Sequence, residues 1–194
     1  MESGRKMISR IAVIFPGIGY NKNRPLLYHS GKLALQHGFK VKALEFGGFP
    51  TKIKGDREAL MKAFSIAVAQ SEDQLKYIDF EAYEDIVFIS KSVGTVAAAV
   101  YAAKHNVPAR QLYYTPLEHT FSLMEDHNGL VFHGTADTWV NTEAVEEGCK
   151  EKHLILKTIL GANHSLESED VFANLQDLFV ILKDVNRFLL KQEV

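Results

Sequence analysis

Three features of the sequence predict an α/β fold with a doubly wound, mostly parallel six-stranded sheet and helices on both faces. Short β-branched runs alternate with longer helical stretches along the whole chain. Several of those runs are apolar at nearly every position, the pattern of strands buried on both faces. No repeat, low-complexity tract or linker interrupts the alternation, so one domain is expected over residues 8–194, with a short N-terminal extension at 1–7.

The first strand is expected at Ile11 to Phe15, followed by a helix over Pro25 to His37 that opens on proline at its first turn. A second strand spans Phe39 to Phe46 and a second helix Arg57 to Tyr77. The third strand, Asp85 to Ser90, runs directly into a small-residue helix over Val93 to His105. Strands at Gln111 to Thr115 and Leu130 to His133 follow, then a helix over Thr142 to Lys150 and a last strand at Leu154 to Leu160. The chain closes on an amphipathic helix from Glu167 to Leu190. Its Val171, Leu175, Leu178, Leu182, Val185 and Leu189 recur at three- and four-residue spacing, which predicts one core-facing stripe.

Composition narrows the function classes. A chain of 194 residues that is 46% hydrophobic and 24% charged is an ordinary globular one. A net charge of -2 and the lack of a basic face argue against nucleic acid as a partner. No apolar stretch approaches the roughly 18 residues that would suggest a membrane span, and Met1 to Arg10 is not followed by a signal-peptide core. The lone cysteine, Cys149, excludes an internal disulfide framework and sits in the charged stretch Glu146-Glu147-Gly148-Cys149-Lys150-Glu151, where acidic neighbours disfavour a thiolate. A cytoplasmic protein acting on a small molecule, with no metal and no cofactor, is the expectation; the oligomeric state is not legible. Met7 reads equally as a second start.

Parallel sheets of this kind bind ligands beyond the carboxyl ends of their strands. The polar residues after each strand therefore carry the argument: Pro16 to Tyr20, Gly47 to Pro50, Lys91-Ser92, Pro116 to His119, Gly134 to Asp137, and Asn163-His164. A nucleophile, an acid and a base fall in three of these loops. Ser92 stands where a buried strand meets a helix, a tight turn that lifts the hydroxyl above the sheet edge and aims the first N–H groups of the helix at it. Such a turn needs small residues two before and two after, which Ser90 and Gly94 supply. A helix-capping serine is the plainer alternative.

The run Ile89-Ser90-Lys91-Ser92-Val93-Gly94 resembles the Gly-x-Ser-x-Gly nucleophile elbow of the α/β-hydrolase superfamily, with Ser90 in place of the first glycine. His133-Gly134-Thr135-Ala136-Asp137, followed by Val140, resembles the segment that holds the family's triad acid. Gly161-Ala162-Asn163-His164 resembles the loop that holds its histidine. The chain order Ser, Asp, His is the superfamily's. The resemblance implies Ser92 as nucleophile, His164 as general base and Asp137 as the acid that orients it. It also implies an oxyanion hole from the backbone N–H groups of Val93 and Ile18, with Gly17 next in line, since Phe15-Pro16-Gly17-Ile18-Gly19 resembles the family's His-Gly-x-Gly loop. A dinucleotide-binding turn is the competing reading of Gly17-x-Gly19, and Lys22 stands where its third glycine belongs.

The resemblance covers Ile11 to Leu190 and implies a reduced, lidless, esterase-like α/β-hydrolase domain with strand order 2-1-3-4-5-6, lacking the family's first two antiparallel strands. The substrate expected is a small ester, thioester or amide, with Gly17, Leu117, Phe121 and Met124 lining the pocket; core packing is the alternative for the last three. Lys91, Arg24, Glu118 and Trp139 are candidates for tuning specificity, with a surface or rim position the plainer reading of each. Among the other histidines, His133 reads as structural or as a wall of the site, and His119 and His127 are second choices for the base. Two further functions fit the same scaffold: a non-catalytic binding protein and an acyltransferase.

Overall fold

The computed structural model describes residues 9–194; the expected extension at 1–7 and the domain's first residue lie outside the described residues. Six strands form one all-parallel sheet: β1 (Arg10–Phe15), β2 (Lys40–Ala43), β3 (Asp85–Lys91), β4 (Arg110–Tyr114), β5 (Gly129–Gly134) and β6 (Ile155–Ile159). Their spatial order is 2-1-3-4-5-6, as expected. The helices are α1 (Pro25–Gln36), α2 (Arg57–Leu75), α3 (Val93–His105), α4 (Glu118–Phe121), α5 (Thr142–Glu151) and α6 (Val171–Leu189), with a 3-10 turn at Phe80–Ala82.

The side-chain alternation of the strands divides the core into two layers. Ile11, Val13 and Phe15 of β1 pack with Ile86 and Phe88 of β3 against α2, α3 and α5. Ala12 and Ile14 pack with Val87 and Ile89 against α1 and the end of α6. Every residue of β3 is buried, which explains why that run is apolar without alternation.

Three expectations change. The second strand stops at Ala43 rather than Phe46: it is an edge strand, registered only against Ile11 to Ile14 of β1, and Leu44 adds one last backbone bond to Ile14 O at 2.9 Å. The stripe expected along the last helix is realised only in its C-terminal half. Val185 and Leu189 are buried, Leu178 and Leu182 are half-buried, and Val171 and Leu175 stand 67% and 57% exposed. The helix starts at Val171, not Glu167, because Asp170 caps it by accepting from the N–H groups of Phe172 and Ala173. No helix of the described residues is long and apolar enough to cross a membrane.

Candidate active site

The loops after β1, β3, β5 and β6 meet at the carboxyl edge of the sheet. Ser92 occupies the turn between β3 and α3 with φ 52° and ψ -122°, a strained conformation for a residue with a Cβ. Tertiary contacts hold it there. The Ser92 N–H donates to Tyr114 O at 3.0 Å, and its carbonyl accepts from the Thr95 N–H at 2.9 Å and from Thr95 Oγ1 at 2.6 Å. Gly94 shows why the turn needs a small residue. A Cβ there would lie 2.3 Å from Phe15 O and 2.5 Å from Pro16 O, so only glycine lets the β1 loop close over the start of α3. Ser90 is fully buried in the strand, donating to Leu112 O at 3.2 Å.

Gly134 plays the corresponding part for the other two loops. A Cβ on it would meet Ala162 O at 2.3 Å, so the β5 and β6 loops run in backbone contact. The Ala136 N–H donates to Ala162 O at 2.9 Å, and the Gly161 N–H to Thr135 Oγ1 at 2.8 Å. This stitching brings Asp137 beneath His164. Asp137 Oδ2 lies 2.7 Å from His164 Nδ1, and His164 Nε2 lies 2.8 Å from Ser92 Oγ. A carboxylate only accepts, so Nδ1 carries the imidazole proton and Nε2 is free to accept from the serine hydroxyl. The second oxygen, Asp137 Oδ1, accepts from the Trp139 N–H at 2.8 Å.

Burial sets the protonation states. The Asp137 side chain is fully buried, which opposes its charge, yet the hydrogen bond and charge of His164 and the Trp139 N–H outweigh burial and hold its carboxyl below the usual range. Burial likewise pushes the His164 imidazole below its ordinary value, and the Lys91 charge adds to this, against the opposing pull of Asp137. An ionised carboxylate behind a neutral imidazole is the state in which a histidine can take a proton from a hydroxyl.

The N–H groups of Val93 and Ile18 have no hydrogen-bond partner among the described residues. Gly17 is no alternative donor, because its N–H is taken by Tyr20 O at 3.1 Å. Its contribution is space: a Cβ there would press to 3.2 Å on Ser92 Cβ and Lys91 O. Beside this loop a cavity of about 400 Å³ is lined by Ile18, Asn21, Asn23, Phe46 and Phe49 among others. Leu117, Phe121 and Met124 are 3%, 7% and 3% exposed and belong to the core layer of α2, α3 and α5, which favours core packing over pocket lining for them. Phe121 presses on Gly148, where a Cβ would come within 2.5 Å of its ring.

Of the supposed rim residues, Arg24 and Glu118 are exposed, and Trp139 stands at the rim with its ring 5.6 Å from that of His164. Lys91 is the exception. It is only 1% exposed, beneath the loops rather than on them. A lysine closing an otherwise apolar strand is the one signal that could have found it. His133 is buried, with Nε2 3.0 Å from Thr142 Oγ1, a structural position. Cys149 is buried in the core, and burial pushes its thiol up to about 12, which removes it as a nucleophile. Among the described residues no three His, Cys, Asp or Glu side chains are grouped to hold a metal ion.

No family model and no curated protein matches the sequence. Solved structures do match the fold. Est1E from Butyrivibrio proteoclasticus, solved with ferulic acid bound, aligns with a TM-score of 0.69 and 15% identity over 99% of this chain and 92% of its own. An α/β serine hydrolase homologue from Coxiella burnetii aligns at 0.68 and 19% identity over 95% and 88%. XC6422 from Xanthomonas campestris, a serine hydrolase without a lid, aligns at 0.59 and 13% identity over 96% and 84%. The chain has the α/β-hydrolase fold.

Proposed function

We propose that this chain, built on the α/β-hydrolase fold, is a serine hydrolase that cleaves a small ester, thioester or amide through an acyl-enzyme on Ser92. The observation that carries the reading is the unbroken series Ser92 Oγ, His164 Nε2, His164 Nδ1, Asp137 Oδ2, at 2.8 and 2.7 Å. The far carboxylate is fully buried, and Ser92 itself is 9% exposed.

In the first half-reaction Ser92 Oγ attacks the carbonyl carbon as its proton passes to His164 Nε2. The charge that develops on the carbonyl oxygen is received by the free N–H groups of Ile18 and Val93, each worth about 3 kcal/mol in such sites. Collapse breaks the bond to the alcohol, thiol or amine, which leaves with the proton from Nε2. Water then attacks the acyl-enzyme, giving its proton to Nε2. The second collapse releases the acid and returns that proton to Ser92 Oγ. Asp137 stabilises the imidazolium in both halves without itself taking the proton. The cavity of about 400 Å³ beside Ile18 suits a small acyl or alcohol group.

Hydrolysis of short-chain p-nitrophenyl esters tests this reading. Ser92→Ala and His164→Ala are each expected to lower kcat by at least about 10³-fold with the fold intact. A Ser92→Ala protein that turns over at the parent rate overturns it.

A further inference from the structure

Lys91 closes β3, immediately before the nucleophile, and its side chain touches three other loops of the site. A methyl group on Gly17 of the β1 loop would meet its Cγ at 3.4 Å, and its Nζ sits 5.2 Å over the ring of Tyr20 in the same loop. That Nζ donates to Thr115 Oγ1 after β4 and, at 2.6 Å, to the backbone carbonyl of His164 after β6. Thr115 Oγ1 donates to the same carbonyl at 3.1 Å. No carboxylate among the described residues lies within ion-pair distance of Lys91.

An ammonium buried without a carboxylate partner is costly, and an apolar side chain of similar length would fill the same space without that cost. What the lysine contributes is what an apolar chain cannot: a donor on the main chain of the base, and a positive charge beneath it. Resting on the hydrolase reading, we propose that Lys91 is a positioning residue that ties the His164 backbone to the strand ending in Ser92 and holds a cation under the imidazole.

Burial pulls the Lys91 ammonium down to about 7, against the opposing charges of Asp137 and Glu167. The groups that face it are Tyr20, Thr115, Asp137, His164 and Glu167. The sign of its action on the base follows. A neighbouring cation disfavours the imidazolium, so it keeps His164 neutral, and competent as a base, to lower pH.

Two measurements test this. In Lys91→Met, the histidine ring resonances should show His164 titrating at higher pH than in the parent. The acid limb of kcat/KM should move up with it, and kcat should fall about tenfold or more with KM within about twofold. In the parent protein, which needs no variant to fold, ¹⁵N-labelled Lys91 Nζ should titrate near neutrality, and the His164 ring should report a second step at that pH. A folded Lys91→Met with parental His164 titration and kcat overturns the proposal, as does a His164 ring that shows no step where Nζ titrates. If the protein turns over no ester while His164 still responds to Lys91, the hydrolase reading fails and the coupling stands. An active enzyme indifferent to Lys91→Met shows the reverse.

Discussion

Replacing Lys91 by methionine should change how stability depends on pH, by an amount set by its burial against the opposing charges of Asp137 and Glu167. A free lysine titrates near 10.5, and Lys91 is pulled down to about 7 when folded. Between those values the unfolded chain binds the extra proton, so stability rises with pH across this window and is flat below it. Each pH unit inside the window contributes about 1.4 kcal/mol. Between pH 7 and pH 9, allowing for the half-titrated start, the parent should gain about 2 kcal/mol that the methionine variant does not. Apart from His164, whose titration is followed separately by its ring resonances, the two proteins carry the same titrating groups, so their difference reports Lys91. Urea unfolding of both proteins at pH 7, 8 and 9 measures it, as a gap between the two midpoints that shifts steadily toward the parent. Stability profiles that run parallel from pH 7 to 9 refute the buried ammonium without a carboxylate partner.

Four other expectations follow from the same geometry. Gly94→Ala drives a Cβ into Phe15 O at 2.3 Å, and backbone cannot step aside as a side chain can, so a loss of about 3 kcal/mol is expected in urea unfolding. Phe121→Ala should cost about 3–5 kcal/mol as a core deletion while leaving KM for a small ester unchanged; a KM shift without destabilisation would return Phe121 to the pocket. Because burial lowers the His164 imidazole, the kcat/KM profile should hold through neutral pH and fall only at pH values below the ordinary histidine range. Asp137→Asn should lower kcat by about 10³- to 10⁴-fold, since the amide can present a donor to Nδ1 and select the wrong tautomer.

The six strands needed little beyond periodicity, because β3 and its neighbours are buried on both faces, whereas their order came from the family resemblance and the four-residue helix α4 was too short to show a period. Where periodicity misled, tertiary context decided. Val171 and Leu175 keep the amphipathic spacing of α6, but only the helix's C-terminal half lies over the core layer that receives Val185 and Leu189. Phe46 is apolar enough for a strand, yet the edge strand ends at Ala43, where its register with β1 ends. In the site, Ser92, Asp137 and His164 were legible because each follows a strand and the sheet carries all three to one edge. Lys91 was not, because charge at a strand end ordinarily signals solvent. Its burial depends on Tyr20, Thr115 and His164 folding over it from three distant segments. Leu117, Phe121 and Met124 were legible as apolar, with pocket wall and core both open, since spacing does not reveal which side of a short helix meets α5.

The proposed chemistry requires Ser92 to be a nucleophile activated by His164. Treating the protein with a fluorophosphonate and mapping the adduct by peptide mass spectrometry tests it directly. One phosphonyl group per chain is expected, on the peptide containing Ser92, lost in Ser92→Ala and slowed at least about 10³-fold in His164→Ala. An unlabelled parent protein, or a label that survives Ser92→Ala, contradicts it.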